Sequence, residues 1–384
     1  GGNVINYMAN GDNATEAFNE FHYRSKTATQ LLNQLPKTKI SNFIYDDKEI
    51  LKEFGKLRNS FIRKGYFKPS YFHVFNRALF LVALYGAATY TIQYNCIAAA
   101  LIFGLCGGQC GWLQHEAGHN SLTGIIKLDK LIQEFIMGFG LYLSASKWNR
   151  MHNRHHATPQ KVGHDVDLKT TPFVAFYKNA VSDNKATARF CSPAWLRFQA
   201  YTFLPITSGL LVPVYWRGYL HTAHMIRNGK HREIMWTVLG TTAHIGAFMR
   251  LGELSLGRAF FYHYLSCWLS YIYMFGHFSL SHSTTETVGE EENPSWIRYA
   301  IEHSVDISTS NYLVGWVMGY LNYQVVHHLF PSMPQYRGYE VSKELVPFCK
   351  KYDIKYKRIG YRRAWYEMFA NLDCVGKYSY SPTS

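Results

Sequence analysis

Residues 78–115 contain no Asp, Glu, Lys or Arg. At 1.5 Å rise per residue such a run makes about 57 Å of helix, nearly twice the ~30 Å hydrocarbon core of a bilayer. It predicts a membrane hairpin with two crossings joined near residues 93–95, since the buried helix of a soluble protein rarely exceeds about 20 residues. Three more uncharged runs follow, 198–216, 234–249 and 259–285. Only the last is comfortably long enough to cross. Pro205 and Pro213 interrupt the first, and proline breaks a straight helix; the second run is short. A final run, 307–336, is broken by Asn, Gln, His and Pro and predicts an interfacial or buried segment. The intervening stretches 37–77, 147–197 and 337–377 are polar and basic. Such segments tend to stay cytosolic, so an even number of crossings is expected between them. One middle run, best 198–216, is then re-entrant or surface-lying.

Composition sharpens this picture. The 384 residues carry a net charge of +14 and are 47% hydrophobic, yet the mean hydropathy is only -0.18, so the apolar residues are gathered in blocks. A basic balance suits nucleic acid or an anionic membrane face. Zinc-finger spacing, an RNA-binding sheet motif and a basic amphipathic arm are all missing, which argues for the lipid bilayer and no nucleic acid. Seven scattered cysteines imply no disulfide framework. Cys106 and Cys110, one turn apart in an apolar run, read as small buried hydrophobes.

The 18 histidines carry the chemistry. His115 and His119 lie in HEAGH, His152, His155 and His156 in HNRHH, and His327 and His328 in QVVHH with Gln324 three residues earlier. On a helix, residues at i, i+3 and i+4 share a face, so each cluster can aim its imidazoles at one point. So many imidazoles suit a borderline transition metal such as iron. Seven exceed what one zinc takes, and two metals fit the number. HEAGH also matches the H-E-x-x-H motif of zinc peptidases, with Glu116 as general base. An intramembrane zinc metallopeptidase would need a third ligand, for which nearby Asp129 is a poor candidate, and would leave the other two clusters idle.

HEAGH, HNRHH and QVVHH in this order resemble the three histidine boxes of membrane fatty acid desaturases, and Gln324 in place of the third box's first histidine resembles the front-end subfamily. The surrounding QCGWLQHEAGHNSLTG, KWNRMHNRHHATPQ, HDVDL and LNYQVVHHLFPSMPQ agree, and the similarity runs from about Phe61 to the C-terminus. The resemblance implies an all-α integral membrane protein, a multi-helix di-iron desaturase with its histidine boxes on cytosolic helices, in the endoplasmic reticulum membrane. It places a further metal ligand at His282 in HFSLSHST, with His277 as a supporting or interfacial histidine. His164, His221, His231 and His303 read as ordinary polar residues. Asp165 and Asp167 are expected to accept imidazole N–H groups, to line the acyl tunnel, or simply to cap a helix or face water. Trp112, Trp148, Trp316 and Tyr323 are expected to pack, or to wall the channel.

The opening GGNVINYMANGDNATEAFNEFHYRS resembles the second half of a cytochrome b5 domain, after its His-Pro motif. The chain, beginning Gly1-Gly2, is therefore expected to be a fragment. His22 would be the second haem axial ligand, able to bind haem b only in a complete domain. The expected organisation is a truncated cytochrome b5-like α+β domain at 1–40, a linker and amphipathic lead-in at 41–76, and the desaturase domain at 77–384. The implied chemistry is O2-dependent insertion of a cis double bond, Δ5 or Δ6 with Δ4 and Δ8 ranked below, into 18- or 20-carbon polyunsaturated acyl chains. These would be carried on coenzyme A or phospholipid, with electrons from NADH through cytochrome b5 reductase and the haem. A sphingoid-base Δ8 desaturase or lipid hydroxylase would share the same site.

Overall fold

The computed structural model describes residues 13–38, 47–167, 170–182, 193–211, 213–289, 292 and 295–380, which are mostly helical. The elements that position the site are α1 (Thr15–Phe21), α2 (Lys26–Gln34), α3 (Lys48–Arg63), α4 (Tyr71–Thr91), α5 (Cys96–Gly118), α6 (Ile126–Phe135) and α7 (Ala145–Ala157), then α8 (His231–Leu251), α9 (Leu256–Leu280), α10 (Gln324–Leu329), α11 (Gly338–Lys351) and α12 (Tyr361–Tyr380).

The uncharged run at 78–115 folds as the expected hairpin. Ser70 caps α4 by accepting the His73 N–H, and Asn95 caps α5 by accepting the N–H groups of Ile97 and Ala98. The chain reverses between Thr91 and Cys96, where the hairpin turn was expected. Among the described residues, α4 and α5 are the two helices long and apolar enough to cross a membrane. Phe72, Leu79 and Val82 of α4 face outward, whereas α5 is largely enclosed from Phe103 to Ala117. Run 259–285 lies mainly in α9, which has the length but not the apolar content expected of it. The reason is that its polar residues point inward. His263, Ser266, Ser270 and His277 are buried, while Leu256, Phe260 and Phe261 are exposed.

The close approach of α5 to α9 depends on glycine. A Cβ on Gly108 would lie 1.6 Å from the Tyr273 ring, and one on Gly104 2.6 Å from Leu269 Cβ. Small residues at such a seam let two helices pack backbone to backbone. The proline-bearing run becomes the short helix Gln199–Thr202, followed by the wide-wound π-helical turns Phe203–Leu211 and Pro213–His221. Proline lacks the donor that a regular helix needs, and the Pro205 carbonyl accepts instead from Trp268 Nε1 of α9 at 2.7 Å.

At the polar end of these helices, Phe54 and Phe61 of α3 pack on Phe330, stacked at 5.5 Å and edge-on at 5.6 Å. Val325, Val326 and Leu329 of α10 and Leu345 of α11 complete that core. Helix α3 thus packs against the helix that carries the third histidine cluster. Within 13–38 the described elements are helices: Glu20 pairs with Arg58, and Arg24 donates to the Phe67 and Ser332 carbonyls at 2.6 and 3.1 Å. Gly1 and Gly2, on which the cytochrome b5 reading partly rests, lie outside the described residues.

Candidate metal centre

Each histidine cluster rides on a helix end, where local sequence sets its aim. His115 lies in the last turn of α5 and His119 caps that helix. Ser144 caps α7 by accepting the Lys147 N–H, and one face of α7 then presents His152, His155 and His156. Gln324, His327 and His328 share the single buried turn of α10.

Folding brings these ends together as two adjoining groups. His115, His119, His152, His156 and His327 form the first, with ligand atoms within 4.8 Å of one another, and His155, His282 and His328 form the second. In the first, His156 Nε2 stands 3.1 Å from His152 Nε2 and 3.0 Å from His327 Nε2. In the second, His328 Nε2 is 3.2 Å from His282 Nε2, and the Gln324 carboxamide lies 3.0 and 3.2 Å from those same nitrogens. The His156 and His328 rings stack at 4.3 Å, joining the groups. Nitrogens bound about 2.1 Å from one ion at right angles stand about 3 Å apart, so the spacing suits shared metals. The buried Nε2 atoms of His115 and His119 have no hydrogen-bond partner among the described residues. Buried lone pairs aimed at a common point fit a pair of metal ions.

Protonation agrees with that fit. Burial, with His155 nearby, drives His119 and His282 down to about 3, and burial among neighbouring imidazoles holds His152, His156, His327 and His328 well below the usual range. These rings are neutral and can offer lone pairs, as metal binding requires. His155 departs from the others. Burial opposes its charge, but the Asp165 and Asp167 carboxylates raise it to about 9. His155 Nδ1 donates to Asp165 Oδ2 at 2.9 Å, while Asp167 is 3.6 Å away and partly exposed. The Asp165 contact orients the ring and leaves Nε2 for the metal, the carboxylate–histidine arrangement that tunes metal ligands. Of the roles weighed for these acids, orienting an imidazole thus falls to Asp165.

One supporting residue was not foreseen. The Gln335 carboxamide meets His115 Nδ1 at 2.5 Å, and the Gln335 N–H donates to Glu116 Oε1 at 3.2 Å. When His115 binds a metal through Nε2, its Nδ1 carries the proton and the carboxamide must present oxygen, a matter of amide orientation. Glu116 thereby braces the 330s loop, not a metal-bound water. Asp129 accepts from Thr123 and Gly124 of its own loop. Both facts remove the parts a zinc peptidase would need. A short local signal for Gln335 existed, the QVVHHLFPSMPQ stretch, but its partner lies 220 residues earlier.

The remaining candidates sort by position. His282 joins the second group, its Nδ1 donating to the His303 carbonyl at 3.3 Å. His277 bonds to the Tyr273 carbonyl and the Tyr361 hydroxyl, outside both groups. His221 is buried outside both groups, where its Nδ1 accepts the Ser144 N–H at the start of α7. His22 is half-buried against Phe18 at 4.8 Å, whereas its neighbour Phe21 reaches His156 edge-on at 6.1 Å. Trp148 stacks on His152 at 4.2 Å, while Trp112, Trp316 and Tyr323 pack elsewhere.

A cavity opens from the centre, where His152, His155, His282 and Gln324 face it, and is lined further by Met274, Phe275 and Phe278 of α9 and by Phe203 and Trp216 of the wide-wound turns. A largely apolar space beside buried imidazoles suits a hydrocarbon chain.

Comparison with known proteins agrees with this architecture. The fatty acid desaturase family model matches residues 94–360. An acyl-lipid (8-3)-desaturase of Thraustochytrium sp is 36% identical over 98% of this chain and 88% of its own length. A protein of the same description from Rebecca salina is 36% identical, covering 98% and 87%. An acyl-lipid (9-3)-desaturase of Physcomitrium patens is 27% identical, covering 94% and 69%. With its histidine centre inside the matched region, the chain belongs to the fatty acid desaturase family, membrane-associated oxidoreductases that act on acyl lipids.

Proposed function

We propose that this chain is a front-end desaturase that inserts a cis double bond at position 5 of a 20-carbon polyunsaturated acyl chain carried on a lipid. The observation that carries the reading is the pair of adjoining histidine groups facing a largely apolar cavity. In the proposed holoenzyme, His115, His119, His152, His156 and His327 hold one iron, and His155, His282, His328 and Gln324 hold the other. Bound iron would supply the O2-dependent oxidation of an unactivated methylene, for which no side chain is basic enough.

The rest falls to the chain itself. Asp165 orients His155, Gln335 orients His115, and Gln324 faces both the second group and the cavity. Phe275 and Phe278 line the cavity and exclude water from the acyl chain. Read as a new double bond three carbons to the carboxyl side of one at carbon 8 or carbon 9, the relatives' names give positions 5 and 6. The higher identity to the (8-3) relatives supports position 5, and their acyl-lipid description supports phospholipid over coenzyme A. The basic stretches support cytosolic histidine boxes, with α8 and α9 as a second membrane hairpin in the endoplasmic reticulum. Electrons would come from NADH through cytochrome b5 reductase and a haem b held by His22 in a complete domain.

The test is to express the full-length protein in a yeast without polyunsaturated lipids, feed 18- and 20-carbon polyunsaturated acids, and locate new double bonds by gas chromatography of derivatives. A 20-carbon acid unsaturated at 8, 11 and 14 is expected to gain a bond at 5. A product at 6 only would overturn the position. Desaturated long-chain bases or hydroxylated acids alone would favour the sphingoid-base desaturase or hydroxylase reading.

A further inference from the structure

In the lining of the cavity beside the histidine centre, the hydroxyls of Ser208 and Ser283 are buried without a hydrogen-bond partner among the described residues. Other hydroxyls of the lining are satisfied: Thr170 donates to the Val174 carbonyl at 2.9 Å and Ser279 to the Phe275 carbonyl at 2.7 Å. A buried donor left unpaired is destabilising, so each of the two marks a point where a ligand can supply the acceptor. They stand in different places. Ser283 follows His282 of the second histidine group, and consecutive Cα atoms are only about 3.8 Å apart. The turn that carries Ser283 is fixed. Gln160 Nε2 donates to the His282 carbonyl at 2.6 Å and to the Thr285 hydroxyl at 2.8 Å, and that hydroxyl donates to the same carbonyl at 2.9 Å. Ser208 instead adjoins Gly209, where an added Cβ would lie 2.2 Å from Trp268 Nε1. Trp268 stands about 18 Å of helix before α9 ends at Leu280.

Resting on the proposed desaturation at position 5, we infer that the Ser283 hydroxyl donates to the carbonyl of the acyl ester and so fixes the register from which that position is counted. Four carbon–carbon bonds of about 1.5 Å, joined at tetrahedral angles, put C1 about 5 Å from C5. The carbonyl of a substrate that reacts at C5 therefore lies beside the histidine centre. It is an acceptor only, and its partner has to be a donor held close to that centre. Ser283 meets both conditions. Gln160 Oε1 is also buried and unpaired among the described residues, but an amide oxygen accepts and cannot serve a carbonyl. Ser208 donates but stands too far along α9. Successive methylenes are chemically alike to an apolar wall, so a polar contact at the carboxyl end is what distinguishes one from the next.

The experiment uses the full-length protein in yeast fed a 20-carbon acid unsaturated at 11 and 14, which lacks the double bond at 8 that also restricts where a new one forms. If the parent enzyme does not convert it, the acid unsaturated at 8, 11 and 14 serves in its place. Ser283→Ala is expected to lower the ratio of product at 5 to product at neighbouring positions by about tenfold, the upper range for one neutral hydrogen bond. Ser283→Thr keeps the hydroxyl and is expected to hold the parent ratio, and Ser208→Ala to leave it unchanged. Iron retention and melting temperature of purified Ser283→Ala are expected to match or exceed the parent's, because the free chain loses no bond. A parent ratio in a Ser283→Ala enzyme that still makes product overturns the anchor, as does an equal shift in Ser208→Ala or a shift that follows loss of iron. If Ser283→Ala keeps its iron but makes no product, activity in Ser283→Thr supports the anchor and its absence there overturns it. A parent enzyme that desaturates none of the fed acids would instead overturn the desaturase reading itself.

Discussion

Replacing Asp165 with asparagine isolates the contact that orients His155. In the native arrangement Asp165 Oδ2 accepts from His155 Nδ1 at 2.9 Å and from the Gln160 N–H at 2.8 Å, and Oδ1 accepts from the Asp167 N–H at 2.9 Å. An asparagine retains one acceptor oxygen for these three donors, and its amine faces whichever is left. A buried donor without an acceptor costs about 1–3 kcal/mol. Loss of an orienting partner costs a metal site about 10- to 100-fold in affinity, which is about 1.4–2.8 kcal/mol. The two routes agree in size. The assay is iron retention by the purified protein against a graded chelator, read by elemental analysis, and Asp165→Asn is expected to lose iron at chelator concentrations about 10- to 100-fold lower. Asp167, at 3.6 Å with its side chain 41% exposed, makes a matched control. His155 is buried in this contact, but the Asp167 carboxylate lies beyond hydrogen-bond reach and is open to water; solvent screening keeps such a contact below about 1 kcal/mol, so Asp167→Asn is expected to shift retention less than about fivefold. Equal effects of the two substitutions, or native retention in Asp165→Asn, would refute the assigned role.

The division of the histidines into two groups makes a stoichiometric prediction: His282→Ala is expected to lower iron from two to one per chain, while loss of both or neither would count against separate sites. The glycine seam predicts that Gly108→Ala forces the Tyr273 ring aside and breaks its hydroxyl contacts with Gln109 and Trp112. Overpacking of this kind costs about 1–3 kcal/mol, so a lowered melting temperature in detergent is expected and an unchanged one would contradict the packing. Asp306 is buried beneath Tyr356 and accepts the Val325 N–H at 2.8 Å, and burial raises its carboxyl from 3.8 to about 7. The folded chain holds this proton more tightly than the unfolded one, so the contribution is complete below about pH 4 and is lost as pH rises through about 7. Asp306→Asn is expected to flatten melting temperature against pH across that window, and a wild-type slope in the variant would refute it.

Sequence alone determined the elements whose cause is local. A charge-free run of hairpin length states its own fold, since each residue of a crossing must be apolar or enclosed. The spacing of HEAGH, HNRHH and QVVHH likewise states that each cluster shares a helical face. The resemblance supplied His282, which no spacing could have marked. Tertiary structure decided what depended on segments far apart in the chain. His156 meets His327 across 171 residues, and Gln335 meets His115 across 220. The partition into five and three imidazoles and the choice of Asp165 over Asp167 both follow from how α5, α7, α9 and α10 pack. The polar face of α9 lowered its apolar content for the same reason, because hydropathy averages over a helix while packing hides one side of it. Spacing along a chain reports which residues can share a face, and only packing decides what that face meets.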